Sequence, residues 1–295
     1  MLPFLALSSI TTDDISSFFK HEAKVHVLRL DKISPDISGN KWFKLRYYID
    51  EAKAMHKKGI LTFGGAWSNH IVATAAACRN LGLASCGVIR GERSASPTPT
   101  LVQAESYGMQ LVYVPKSAYK DKPVPAHVSN KDYLTVNEGG FGATGAKGAS
   151  TILDYCEDSY THYACAVGTG TMLAGIINRI SHAKKALGVS VLKNNATLET
   201  NVQHLLIDQA KTNWNIVHDY SFGGYAKFQP LLLDFMNTFY LHTKVPSDFV
   251  YTAKLFFAIS NLIRKKYFPQ GSKILIIHSG GLQGNRSLPR GTLMF

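Results

Sequence analysis

Short runs of β-branched and aliphatic residues alternate with stretches of helical periodicity along most of the chain. VHVLRL (25–30) reads as a strand and feeds a helix with apolar positions Trp42, Leu45, Ile49, Ala52 and Met55, closed by Gly59. ILTFGG (60–65) leads into the alanine-rich HIVATAAACRNLG, which ends near Gly82; ASCGVIR, a helix beginning near Pro99 and QLVYVP then repeat the unit. Strand, helix and strand at this spacing predict parallel pairing through helical crossovers, and hence an α/β fold. The rhythm falters in KSAYKDKPVPAHVSNKD (116–132), whose two prolines and six charges without apolar period predict a loop. It resumes with YLTVNEGG, a helix around Lys147 to Cys156, the strand YACAVGTG and further pairs up to KILIIHSGG. The glycine-rich joints fall where strands meet helices, which in an open α/β sheet is the ligand-binding edge.

Composition narrows the class without changing this picture. The 295 residues are 45% apolar and 18% charged, enough for one large core or two adjoining ones. Apolar runs fall far short of a bilayer span, and the opening MLPFLALSSI lacks a basic leader followed by a full apolar segment and cleavage site, so a cytoplasmic protein is expected. Cys78, Cys86, Cys156 and Cys165 lack metal or redox spacing and are expected to be reduced and buried. The formal charge of +12 suggests nucleic acid, but the basic residues are dispersed in short groups such as Lys57-Lys58, Lys184-Lys185 and Arg264-Lys265-Lys266. Their expected place late in helices, where the dipole favours cations, accounts for them without a polynucleotide partner.

Several joints carry candidate chemistry. GTGTMLAG (168–175) follows a strand and opens a helix, so its small residues and free first-turn N–H groups suit an anion, although it is neither a dinucleotide fingerprint nor a Walker loop. In WSNH (67–70), Ser68 or Asn69 reads as a helix N-cap or as a polar group held at the sheet edge. Lys41, bracketed by Gly39, Asn40, Trp42 and Phe43, sits where a desolvated amine would lose proton affinity and gain nucleophilicity. GGYAKFQP places Tyr225 in a glycine-rich turn, FVYTAKLFFAI places Tyr251 and Thr252 at a helix start, and HSGG ends the last strong strand with Ser279.

Taken in order, SGNKWFKL, AWSNHIVATAAACRNLGL, VGTGTMLAG, GGYAKF, VYTAK and HSGG resemble the pyridoxal-phosphate enzymes of the 1-aminocyclopropane-1-carboxylate deaminase and D-cysteine desulfhydrase family, over residues 25 to 281. The resemblance implies a tryptophan-synthase-β fold (fold type II) of two open, mostly parallel sheets. A smaller domain (44–148) would be inserted in a larger one (1–43 plus 149–295), in a homodimer. It implies pyridoxal 5'-phosphate as cofactor, Lys41 as its Schiff-base lysine and Lys44 on its phosphate, cradled by Gly168, Thr169, Gly170 and Thr171. Asn69 would bond the pyridoxal 3-oxygen, with Thr252 or Ser279 towards the ring nitrogen. Ser68 and His70 would face the substrate carboxylate. Trp67, with Trp42 and Phe43, stands where smaller or polar residues are usual and would alter the pocket's shape. Tyr225 and Tyr251 would join Lys41 and Ser68 in catalysis.

The implied activity is that of a lyase or deaminase acting on a small amino acid, with neither metal, membrane nor nucleic acid involved. The deaminases resemble one another in carrying glutamate directly after the second tyrosine, where this chain has Thr252. A neutral hydroxyl there favours D-cysteine β-elimination over cyclopropane ring opening. The alternatives are the deaminase proper, a racemase on the same scaffold, and a binding protein without catalysis.

Overall fold

The computed structural model describes residues 4–19, 23–37, 39–126, 128–129 and 131–295. Ser38 of the SGNK motif, the first three residues of the opening segment, and His127 and Asn130 of the expected loop lie outside the described residues.

In chain order the elements are β1 (Thr12–Asp14), β2 (Lys24–Arg29), α1 (Asn40–Ala54), β3 (Gly59–Gly64), α2 (Asn69–Asn80), β4 (Ala84–Arg90), α3 (Pro99–Ser106), β5 (Gln110–Val114) and β6 (Tyr133–Val136). There follow α4 (Ala143–Ser150), β7 (His162–Val167), α5 (Thr171–Arg179), β8 (Lys185–Ser190), α6 (Leu198–Gln203), β9 (Trp214–Val217), α7 (Pro230–Thr243), α8 (Thr252–Arg264) and β10 (Lys273–His278). They build a six-stranded sheet ordered β1-β2-β10-β7-β8-β9 and a four-stranded sheet ordered β5-β4-β3-β6. Among the described residues every pairing is parallel except β1 with β2, an antiparallel edge that the sequence pattern missed. The α/β, mostly parallel architecture is therefore the expected one.

The central strands β3 (GILTFG) and β7 (HYACAV) are buried at every position. Helices cover both faces, so the apolar signal is continuous rather than alternating. One core cluster joins the two sheets through α1, α4 and α5, uniting Ile60, Ala73 and Val136 with Phe43, Cys165 and Leu275. A second lies between the large sheet and α8, around Val27, Leu255, Ile259 and Ile276. Because the strands of each sheet run in parallel, their C-terminal ends lie on one side, and Gly65, Arg90, Asn137, Gly168 and Ser279 follow or end β3, β4, β6, β7 and β10 at a single cavity.

Several local expectations are corrected. Helix α1 ends at Ala54, Met55 is 53% exposed, and Gly59 opens β3 instead of closing the helix. The helix placed around 147–156 begins at Ala143 and tightens into a 3-10 turn over Thr151–Tyr155. Lys185 opens β8 and is not part of a helix end. Within 116–132 the loop contains a 3-10 turn at Ala118–Asp121. All four cysteines are free, but Cys156 is only half-buried. Trp42 and Phe43 are packed in the core and stay out of the cavity wall. Among the described residues no helix is long and apolar enough to cross a membrane.

Candidate active site

The cavity between the two sheets has a volume of about 630 Å³. Its floor begins with the stretch before α1. The backbone at Gly39 has φ +54°, and a Cβ there would lie 2.1 Å from the Ser279 carbonyl oxygen. Only glycine permits that approach, and it lets Asn40 N–H donate to Ser279 O at 3.2 Å. The start of α1 is thereby docked on the end of β10, and Lys41 enters the cavity from the first turn. Its Nζ donates to Asn40 Oδ1 at 2.9 Å and lies 5.7 Å from the Tyr251 ring centre. Burial lowers the Lys41 pKa to about 8, against the opposing pull of Asp248. One turn on, Lys44 is buried and donates to the Gly139 carbonyl at 2.9 Å; burial and the charge of Lys41 push its pKa well below the ordinary lysine value.

Two helix N-termini face this pair of amines. Helix α5 opens at Gly170, whose φ is +88°, with no side-chain cap, so its first-turn N–H groups and dipole are available to an anion. Thr169 and Thr171 share a hydroxyl contact of 3.0 Å at this turn. Helix α2 is capped by Ser68, which accepts from Ile71 N–H at 3.4 Å while also lining the cavity, so both readings of WSNH hold together. His70 Nε2 meets Thr62 Oγ1 at 2.9 Å, and burial with the charges of Lys41 and Lys44 holds its pKa well below the usual histidine range. Among the described residues the buried atoms Asn69 Oδ1 and His70 Nδ1 have no partner.

On the opposite wall the Tyr225 and Tyr251 rings meet edge to face at 6.1 Å. Tyr225 is 38% exposed overall, but its hydroxyl end lies by Tyr251. Burial raises both phenol pKa values, that of Tyr251 well above the ordinary one. Asp248 underlies them at the start of α8. Its Oδ2 accepts from Val250 N–H (3.0 Å) and Tyr251 N–H (2.9 Å), and its Oδ1 from Thr252 N–H (3.0 Å) and Thr252 Oγ1 (2.8 Å). Burial nonetheless leaves its pKa raised. The Lys254 ammonium, one turn into α8, donates to Ser221 O at 2.8 Å and Gly224 O at 2.7 Å, tying down the turn that carries Tyr225.

Lys41, Lys44, Ser68, Asn69, His70, Gly168, Thr169, Gly170, Tyr225, Tyr251 and Ser279 thus come together on one cavity, although their numbers span most of the chain. Besides Trp42 and Phe43, three singled-out residues do not line it. Trp67 is half-buried at the corner of a turn closed by Ser68 N–H to Gly65 O. Thr171 is buried at the first position of α5. The Thr252 hydroxyl is spent on Asp248, donating to Oδ1 and accepting from Asp248 N–H at 2.7 Å, so of Thr252 and Ser279 only Ser279 lines the cavity. Sequence reasoning missed Arg90, Lys122, Glu138, Asn195 and Asn201 on the cavity wall, and Asp248 beneath it. Glu138 was findable, because it follows β6 at the ligand edge. The asparagines come from a stretch with no readable period.

A lysine pair drawn into one cavity, an uncapped helix N-terminus and a polar rim at the meeting of two mostly parallel sheets define an enzyme site built for a phosphate-bearing, amine-reactive group. The family model for pyridoxal-phosphate-dependent enzymes matches residues 15–280, and the chain belongs to that family, with pyridoxal 5'-phosphate as its cofactor. It is 26% identical to a protein of Pyrococcus horikoshii described as a putative 1-aminocyclopropane-1-carboxylate deaminase, over 89% of this chain and 86% of that one. It is 29% identical to the bifunctional D-cysteine desulfhydrase/1-aminocyclopropane-1-carboxylate deaminase of Arabidopsis thaliana mitochondria, over 88% of this chain and 72% of that one. A crystal structure of a 1-aminocyclopropane-1-carboxylate deaminase homologue superimposes with a TM-score of 0.80 at 22% identity, covering 94% of this chain and 90% of the other.

The residues present fit the cofactor. Two adjacent buried amines have one carbonyl and one amide oxygen between them as acceptors, a state that a phosphate dianion at the α5 N-terminus would relieve. The partnerless Asn69 Oδ1 and His70 Nδ1 give further polar contacts.

Proposed function

We propose that this protein catalyses β-elimination from a small D-amino acid, with D-cysteine giving sulfide, pyruvate and ammonia. When bound, pyridoxal phosphate supplies the electron sink for the reaction. Lys41 would hold its aldehyde carbon, Lys44 and the Gly168–Thr171 turn its phosphate, Asn69 its phenolic side and Ser279 its ring nitrogen. The amine of Lys41, with its pKa near 8, is suited to accept the substrate's α-proton close to neutral pH. Asn40 aims that amine through its 2.9 Å contact. Ser68 and the N-terminus of α2 would seat the α-carboxylate, with His70 neutral beside them. The raised pKa values keep Tyr251 and Tyr225 as neutral phenols, which suits them to donate hydrogen bonds to a departing thiolate rather than to act as bases.

The observation that carries this reading is the convergence of half-buried Lys41 and buried Lys44 on the cavity that the uncapped N-terminus of α5 also lines. Elimination is favoured over ring opening because Ser279 and no carboxylate faces the cavity from the end of β10, and because Glu138, the carboxylate on the wall, is engaged by Lys122 at 2.8 Å and Tyr119 at 3.1 Å. The tyrosine pair equally suits ring opening of 1-aminocyclopropane-1-carboxylate, which is the second reading. Residues 44–148 would form the smaller, inserted unit, consistent with a sheet drawn wholly from 59–136. A homodimer is favoured by exposed Phe228, Leu231 and Leu241 on and before α7, and a reducing cytoplasm by the free thiols.

The test is the near-visible absorption of purified wild type and Lys41→Ala, with pyruvate and sulfide assayed from D-cysteine and 2-oxobutyrate from 1-aminocyclopropane-1-carboxylate. A band that needs Lys41 and responds to D-cysteine is expected, with pyruvate formed faster than 2-oxobutyrate. The reverse order of rates selects ring opening, and absence of a Lys41-dependent band refutes the assignment.

A further inference from the structure

The cavity holds one more anion seat than a neutral amino acid can use. In the reading above the cofactor phosphate would take the α5 N-terminus with Lys44, and the substrate α-carboxylate the α2 N-terminus at Ser68. Arg90 remains. It ends β4 and lines the same cavity, its Nη2 3.6 Å from where a Cβ on Gly65 would stand and its guanidinium 5.8 Å from the Tyr119 ring centre. Among the described residues no carboxylate, carbonyl or hydroxyl accepts from any of its donors. Lys122, the other cation on that wall, is already paired with Glu138 at 2.8 Å. Arg90 is an exposed residue of the wall of the same cavity that Tyr225 lines.

We propose that Arg90 is a specificity residue for amino acids whose β-substituent is itself an anion, a phosphate or sulfate ester of a β-hydroxy amino acid. The inference rests on the elimination reading above and names its substrate class. A planar guanidinium with free donors matches such an oxyanion bidentately, and the same contact strengthens as the group departs with the bonding pair. In the step, the Cα proton passes to Lys41 Nζ, and the electrons of the Cα–H bond form the Cα–Cβ double bond. The Cβ–O bond breaks, with its electron pair leaving on inorganic phosphate. The released enamine takes up water to yield pyruvate and ammonia, so no oxidant or reductant is needed.

The experiment compares holoenzyme wild type, Arg90→Gln and Arg90→Lys on O-phospho-D-serine, D-serine and D-cysteine by pyruvate formation. It also measures binding of D-2-amino-4-phosphonobutyrate, which has no leaving group, against D-2-aminobutyrate through perturbation of the cofactor absorption. Arg90→Gln is expected to lower kcat/KM for O-phospho-D-serine by about 10- to 100-fold, the scale of a lost charged hydrogen bond, and to weaken the phosphonate similarly. The neutral substrates and 2-aminobutyrate should change by less than about 3-fold, and Arg90→Lys should recover part of the loss. Equal losses on charged and neutral ligands would assign Arg90 to the α-carboxylate and overturn the proposal. No change on either would make it a solvated side chain and overturn it as well. A wild type lacking the cofactor band, or releasing pyruvate from none of these amino acids, would instead remove the elimination reading itself.

Discussion

Lys41 owes its chemistry to two neighbours of opposite effect. Burial depresses its pKa from 10.5 to about 8 while Asp248 pulls it back up. The uncharged, nucleophilic amine therefore accumulates as pH rises through about 8, more than two units sooner than for a solvated lysine. Cofactor uptake by apoprotein, followed by absorbance, should quicken across that window. Asp248→Asn removes the raising influence and should move the midpoint to lower pH; an unchanged midpoint would show that Asp248 does not act on the amine. Asn40→Ala removes the acceptor that aims Nζ and should reduce kcat by roughly tenfold with KM little changed, the cost of losing one orienting hydrogen bond. Lys41 was legible from its apolar and small neighbours in sequence. Arg90 was not, because a lone exposed arginine at a strand end looks like any surface cation until the rest of the cavity it lines is assembled from distant parts of the chain.

The element that decides the tyrosine wall is α8, through Lys254. The turn it clamps is unfavourable on its own, with positive φ at Phe222 (+49°), Gly223 (+94°), Gly224 (+115°) and Ala226 (+52°). Two carbonyls of that turn converge on one buried ammonium. Lys254→Met would leave Ser221 O and Gly224 O with only their backbone donors, Gly224 N–H and Lys227 N–H, costing roughly 1–3 kcal/mol of stability for the lost charged contacts, and would loosen the turn that carries Tyr225. A lowered melting temperature together with a fall in kcat is expected, and unaltered kinetics on D-cysteine would show that the turn does not depend on the clamp. Most elements were readable, since β4 and the starts of α2, α3 and α8 fall where pattern and caps put them. The stretch from 183 to 220 was not, because α6 spans only Leu198–Gln203 and β9 only Trp214–Val217. Elements so short carry too few apolar positions to show a period.

Across the molecule, the ends of β2 and β10 are tied below the cavity by a buried ion pair, with Arg29 Nε and Nη2 on Asp31 at 2.8 and 2.6 Å and His278 Nδ1 3.5 Å from Asp31 Oδ1. Burial alone would raise the Asp31 pKa, but His278 and Arg29 outweigh it and leave it lowered. A carboxyl whose folded pKa lies below its unfolded value stabilises the fold above the unfolded pKa, near 4. That stabilisation is lost as pH falls through the folded value. Thermal melts should therefore show an acid decline below about pH 4 that Asp31→Asn flattens while lowering stability at neutral pH; an identical acid limb would exclude Asp31 as its source. Light scattering of wild type against Leu231→Glu/Leu241→Glu should show a dimer converted to monomer, and a wild-type monomer would leave the apolar face of α7 without this role.

Alternating apolar runs and glycine joints were enough to specify parallel α/β layers and the ligand edge, because backbone pairing and helix capping depend on residues close in the chain. The same local chemistry marked Lys41, Ser68 and the turn at Gly168. Which groups share a cavity, that Thr252 is consumed by Asp248, and that Arg90 faces the site without an acceptor depend on how two sheets dock across one core. Those are contacts between residues far apart in sequence, and no local pattern encodes them.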